Sequence, residues 1–298
     1  MPEPALEARS LTRFYGKTRG VENLSFVVNE GEIFGYLGPN GAGKTTTIRL
    51  FLNLIFPTSG SATILGHDVV RDTLEIRRLV GYVPGDVSLY GSMRVGEYLD
   101  FISALRGQPA IRRDELLARF PLDPARRIRE LSMGNRRKVS IIAAFQHDPR
   151  VYLLDEPTLG LDPLMQRTFY ELLSEERDRG KTIFLSSHNL PEVERVCDRA
   201  AIIRAGQLVA IEDVRSLSAR KVKEVDVWFA GPVDPGALVS ETVHLIEHDG
   251  TSARYRVLGD IDSFIKSLSR YTIRDVTISH ASLEDVFFEF YETREGVS

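Results

Sequence analysis

Gly38-Pro39-Asn40-Gly41-Ala42-Gly43-Lys44-Thr45-Thr46 places glycines at both ends of a short loop that runs into a lysine and two hydroxyls. The spacing fits G-x-x-x-x-G-K-[ST], a phosphate-binding loop. Its glycines let the backbone curl until successive N–H groups point inward at a polyphosphate. Lys44 adds a point charge near the terminal phosphates. The Thr45 hydroxyl can ligate Mg²⁺ at a helix N-terminus whose dipole favours anions. A second set of chemical groups follows, where Val151-Tyr152-Leu153-Leu154 runs into Asp155 and Glu156. Asp155 is expected to hold Mg²⁺ through water, and Glu156 to polarise an attacking water. The chemistry expected of this set is phosphoryl transfer from a nucleoside triphosphate.

Those groups need a scaffold, and the surrounding residues describe one. Glu32 to Leu37 reads as a short apolar strand before the loop, and Thr47 to Leu54 as a helix after it. The apolar run before Asp155 shows no alternation, which suits a strand buried on both faces of a parallel sheet, its C-terminal end at the ligand edge. Ser132 is a good N-cap for a helix over Arg136 to Gln146 that closes before Pro149. Leu185-Ser186-Ser187-His188 reads as another strand end, carrying an imidazole.

In this frame, Leu131-Ser132-Met133-Gly134-Asn135 resembles the signature motif of the ATP-binding-cassette (ABC) ATPases, usually Leu-Ser-Gly-Gly-Gln. Thr158-Leu-Gly-Leu-Asp162 is similar to the family's D-loop, His188 to its switch histidine, and Tyr15 to the aromatic that stacks on adenine. The resemblance covers roughly residues 5 to 215. It implies an α/β fold: a P-loop NTPase with a RecA-like core, an antiparallel β subdomain, and a helical subdomain inserted over about residues 86–145. It also implies ATP and Mg²⁺ as cofactors and a composite site. Two cassettes, identical or different, would pack head to tail, each ATP lying between the P-loop of one and Ser132, Gly134 and Asn135 of the other. Asp162 belongs to the same nucleotide-binding set, and His188 would contact the γ-phosphate and the attacking water.

One position departs from the pattern. Val80-Gly81-Tyr82-Val83-Pro84-Gly85-Asp86 is similar to the Q-loop, where most relatives carry a metal-touching glutamine, and Gly85 has no side chain. Either a water completes the Mg²⁺ shell, or Asp86 reaches in. Asp86 is the less expected substitute, since a third carboxylate beside Asp155 and Glu156 would repel the γ-phosphate. Gly85 also leaves this loop more backbone freedom.

Composition agrees with a two-domain globular chain of 298 residues, 43% apolar and 27% charged. No apolar run approaches the ~18 residues of a membrane span, and the start of the chain lacks a signal-peptide pattern, so a cytoplasmic protein is expected; the resemblance implies that it sits on the inner face of a membrane. The single cysteine, Cys197, excludes an intrachain disulfide and reads as a core residue. A net charge of −4 argues against nucleic-acid binding. Between Arg94 and Lys138, however, eleven Arg or Lys face six Asp or Glu, a solvated charged face or an attraction to anionic lipid.

Residues 1–216 are expected to form the ATPase domain and 217–298 a small α+β accessory domain. Alternating apolar residues from Val225 to Phe229, a hairpin around Asp249-Gly250, helical spacing from Ile261 to Leu268 and a strand over Thr272 to Ser279 suggest a ferredoxin-like order if Gly236 to Glu241 forms a helical turn. His244, His248 and His280 lack metal-ligand spacing. Ser282-Leu-Glu-Asp285 opens a last helix carrying Val286, Phe287 and Phe290. This ending looks like the extension of ABC ATPases that serve drug, antibiotic or polysaccharide exporters with a separate membrane permease. A soluble, non-transport ABC ATPase is the alternative, although such proteins usually carry two cassettes and only one P-loop occurs here. Because every motif precedes residue 217, a chain ending near Ala219 should still bind ATP. Loss of nucleotide binding in a folded truncation, measured by calorimetry, would contradict that boundary.

Overall fold

Strands without alternation need cover on both faces, and the three that carry the motifs have it. The computed structural model describes residues 4–214 and 223–280. In it β3 (Ile33–Leu37), β7 (Val151–Asp155) and β8 (Thr182–Ser187) are buried at every position. The chain divides between Ile211 and Glu212 into two compact units.

The first unit opens with β1 (Leu6–Tyr15) and β2 (Thr18–Val28), then β3, α1 (Lys44–Phe51), β4 (Ser59–Ile64), β5 (His67–Asp68), α2 (Thr73–Leu79) and β6 (Val80–Val83). A helical segment follows, with α3 (Val95–Arg106), α4 (Arg113–Arg119) and α5 (Met133–Phe145). The chain then returns to β7, α6 (Pro163–Asp178), β8, α7 (Leu190–Val196), β9 (Arg199–Arg204) and β10 (Gln207–Asp213). Six strands form the core sheet in the order β10-β9-β3-β8-β7-β6, with parallel pairing along β9-β3-β8-β7-β6. A second, antiparallel sheet runs β2-β1-β4-β5. An aromatic stack joins the two. Phe26 of β2 lies 5.9 Å from Phe34 and 6.1 Å from Phe184, with Tyr36 tilted against it at 5.7 Å and Phe51 edge-on at 6.0 Å. Such rings bury large apolar areas in offset and edge-on geometries.

α1 begins at Lys44 and ends at Phe51, three residues earlier at each end than apolar spacing suggested, and α5 begins at Met133 rather than Arg136. In both, the first helical turn is built of motif residues, which carry no apolar periodicity. Cys197 is buried just after α7, against Gly35, where burial pushes its thiol pKa well up.

The helical segment is fastened by charge. Glu176 of α6 is wholly buried and accepts bonds from Arg112, from the Tyr152 hydroxyl (2.9 Å) and from Arg179 (3.1 Å). Burial and the Glu176 carboxylate push the Tyr152 phenol upward, so it stays a donor. Arg119 pairs with Glu175, and Arg113 with Asp100. Part of the cationic excess read in this stretch is therefore internal fastening rather than solvated face.

In the second unit β11 (Lys223–Phe229), β12 (Val243–His248), β13 (Ser252–Val257) and β14 (Ile273–His280) form an antiparallel sheet ordered β12-β13-β11-β14. With a 3₁₀ turn at Pro235–Leu238 in place of the first helix and α8 (Ile261–Leu268) as the second, this is the ferredoxin-like order. Val225, Val227, Tyr255, Phe264 and Leu268 make its core. The capping box at Ser282 and the helix expected after it lie outside the described residues.

Removing Arg112 would leave the Glu176 carboxylate buried with Arg179 as its remaining cation. Arg112→Met is expected to destabilise the first unit by about 3 kcal/mol, at the low end for a broken buried pair. Chemical denaturation checks this: an unchanged midpoint would show that the pair contributes nothing.

Candidate active site

The phosphate loop hangs between β3 and α1. Gly43 serves as the N-cap of α1 with φ +107°, a conformation closed to other residues. Lys44 is 6% exposed; its ammonium donates to the Gly38 carbonyl at 2.6 Å and the Pro39 carbonyl at 3.2 Å, and lies 3.2 Å from Glu156 Oε1. The lysine thus lies folded under its own loop, its charge directed along the concave side.

β8 separates β3 from β7 in the sheet, so Thr45 and Asp155 must meet across an intervening strand. Thr45 Oγ1 donates to Asp155 Oδ2 at 2.7 Å, and Ser186 Oγ of β8 donates to Asp155 Oδ1 at 2.6 Å. Ser186 also receives the Glu156 N–H, at its carbonyl (3.2 Å) and its hydroxyl (3.1 Å). Glu156 takes a left-handed backbone, φ +47°, immediately after β7. That reversal brings its carboxylate between the Lys44 ammonium and His188, whose Nδ1 lies 2.8 Å from Glu156 Oε2. Beneath them the buried Glu192 of α7 accepts from Ser187 and Thr158, and burial raises its pKa. Ser186 and Ser187 were missed by sequence reasoning; their only signal was a pair of hydroxyls before His188.

Above these groups a cleft of about 300 Å³ is lined by Tyr15, Arg19, Gly20, the run from Asn40 to Thr46, and Glu156. Tyr15 stands half-exposed at its rim with the Arg13 guanidinium 4.8 Å from one ring face. Arg19 and Gly20 are further lining residues that no motif announced. Among the described residues no group of three or more His, Cys, Asp or Glu is arranged to hold a metal. Thr45 and Asp155 supply two hard oxygens at a phosphate cleft, a donor set that fits Mg²⁺, which binds few protein ligands and completes its shell with phosphate and water.

The signature residues do not line this cleft. Ser132 caps α5, its Oγ accepting the Asn135 N–H at 3.3 Å. A Cβ on Gly134 would come within 2.6 Å of the Gly160 carbonyl, so only glycine lets α5 lie against the loop that precedes Asp162. Asp162 itself caps α6, accepting from the Met165 N–H at 3.0 Å. A separate cavity runs beside them, lined by Gly85, Asp86, Leu131, Met133, Arg137 and Leu159 among others. Gly85 has a tighter constraint than loop freedom: a Cβ there would lie 2.9 Å from Asp155 Oδ2. Asp86 lines the separate cavity and not the phosphate cleft.

Residues 21–159 match the model of the ABC transporter family. Nod factor export ATP-binding protein I of Paraburkholderia xenovorans is 35% identical over 295 residues, 96% of this chain and 97% of that one. Linearmycin resistance ATP-binding protein LnrL of Bacillus subtilis is 34% identical over 221 residues, 72% of this chain and 71% of that one. Among solved structures, an ATP-binding subunit of an ABC transporter aligns with TM-score 0.68 and 32% identity, over 73% of this chain and 95% of that one. Similarity that runs the length of both chains, on a fold shared with a solved ATP-binding subunit, places this protein in the family of ABC transporter ATP-binding subunits.

Proposed function

We propose that this chain is the ATP-hydrolysing subunit of an ABC exporter, working as a head-to-tail dimer on the cytoplasmic face of a membrane and driving a separate permease. The observation that carries the dimer is the division of its chemistry. The phosphate cleft and the Ser132-capped N-terminus of α5 lie on separate cavities of one chain, so each cleft lacks its signature until a second cassette supplies one. A capped helix N-terminus offers N–H groups and a positive dipole end, the match for a γ-phosphate. The export reading draws on the relatives, named for Nod factor export and linearmycin resistance. No helix among the described residues is long and apolar enough to cross a membrane, which fits a subunit that relies on a partner for the path. Residues 1–216 carry the ATPase, and residues 217–298 form an accessory domain.

In this reading Lys44 and the N-terminus of α1 bind the β- and γ-phosphates, Thr45 and Asp155 hold Mg²⁺, and Tyr15 presents its free face to the adenine. The metal, when bound, neutralises charge on the phosphate oxygens. Glu156, steered by Lys44 and His188, orients and polarises the water in line with the γ-phosphate. Ser186 keeps Asp155 and Glu156 on their separate tasks by holding the carboxylate of one and the backbone of the other. Little covalent chemistry is required, because positioning and charge neutralisation supply most of the acceleration.

Glu156→Gln keeps the shape and removes the charge. Turnover should fall about 10²-fold or more while ATP binding persists and a stable dimer accumulates on size exclusion. Hydrolysis at the wild-type rate would remove Glu156 from the mechanism. Ser132→Arg and Lys44→Ala disable opposite halves of each shared site. Mixing these two inactive proteins should restore up to about half of the per-site activity, since one site of the mixed dimer receives both lesions and the other none. Where mixing restores nothing, crosslinking between Ser132 and the partner's P-loop decides whether the sites are shared.

A further inference from the structure

Arg137, on the first turns of α5, is 2% exposed, and its donors turn to backbone rather than to a carboxylate. Nη1 donates to the Pro84 carbonyl, Nη2 to the Gly85 carbonyl at 2.7 Å, and Nε to the Leu159 carbonyl at 3.3 Å. One planar fork therefore pins two loops: the turn after β6 and the turn that follows Glu156. A guanidinium suits this because its five N–H groups lie in a fixed plane. Burial lowers its pKa, while the charges of Asp155, Glu156 and Asp86 act the other way and favour the cation.

Gly85 connects this fork to the reacting end of the molecule. Its carbonyl is held by Arg137, and its Cα faces Asp155 so closely that an added Cβ would fall 2.9 Å from Oδ2, the oxygen that Thr45 also touches. We propose that Arg137 is a positioning residue for the metal site: it holds the Gly85 backbone against the Asp155 carboxylate and ties that contact to the helix bearing Ser132. The inference rests on the assignment of Thr45 and Asp155 as the metal-holding pair. A glycine at position 85 brings no side chain to the metal, so its loop contributes by where its backbone lies. Arg137 sets that place. The same fork makes a shift of α5 move Pro84, Gly85 and Leu159 together, so nucleotide engagement at Ser132 and carboxylate placement at Asp155 are mechanically joined.

The test is carried out on the full chain with a non-hydrolysable ATP analogue, its affinity measured calorimetrically in excess Mg²⁺ and again in EDTA. For Arg137→Met the affinity in EDTA should remain within about twofold of wild type. The gain in affinity on adding Mg²⁺ should fall by about tenfold, the effect typical of disturbing a residue behind a metal ligand. A purely structural role would lower the melting temperature and weaken both affinities alike, leaving their ratio unchanged. A wild-type ratio in folded Arg137→Met overturns the proposal. Should that variant fail to fold, Arg137→Lys is read the same way. Its compact ammonium cannot reproduce the fork, so a reduced ratio supports the proposal and a wild-type ratio overturns it. Asp155→Asn separates the two levels. A ratio lost there and kept in Arg137→Met sinks the inference alone, whereas a ratio kept in Asp155→Asn sinks the metal assignment beneath it.

Discussion

The site depends on the confinement of one carboxylate. Asp155 is 1% exposed, at the end of a strand buried on both faces, where an unsatisfied charge would be costly. It is held by hydroxyls from two directions, Thr45 at the start of α1 and Ser186 on β8, and crowded from a third by Gly85. Because those neighbours stand on separate segments, the strand order of the core sheet is itself a requirement of the chemistry. β8 must lie beside β7, or Ser186 could not reach both Asp155 and the backbone of Glu156.

Motif residues and unbroken apolar strands could be read from the sequence, because their causes are local. The curl before Lys44 needs glycine wherever it occurs, and a strand such as Val151–Asp155 needs cover on both sides whatever provides it. The second unit was legible for a similar reason: alternation around the Asp249-Gly250 turn sets both faces and register, and Asp249 Oδ1 accepts from Thr251 and Ser252 as such a turn requires. What remained hidden was non-local. Nothing near Ser186 announces that it will bridge two carboxylate-bearing residues. The reason for glycine at position 85 lies seventy residues away, in Asp155. Its backbone freedom was readable, while the crowding that forbids a side chain was not.

Charge in the helical segment shows the same limit. Counting gives an excess of cations from Arg94 to Lys138, but a count does not say where partners stand. Glu175 and Glu176 come from α6, outside that window, and neutralise Arg112 and Arg119. Arg137 meets carbonyls instead. Cations equal in a tally thus serve as a buried brace, a surface pair and a backbone fork. Their burial, 8% exposed for Arg112 and 2% for Arg137, separates the roles where composition does not.

The left-handed backbone of Glu156 has an evolutionary corollary. A non-glycine residue in that conformation costs on the order of 1 kcal/mol, a strain that glycine or asparagine would relieve. A glycine or asparagine placed there to relieve that strain would remove the carboxylate between Lys44 and His188. An engineering campaign on this protein that scores only resistance to heat would not register that the chemistry had been lost. Position 156 should be held constant before any library is drawn.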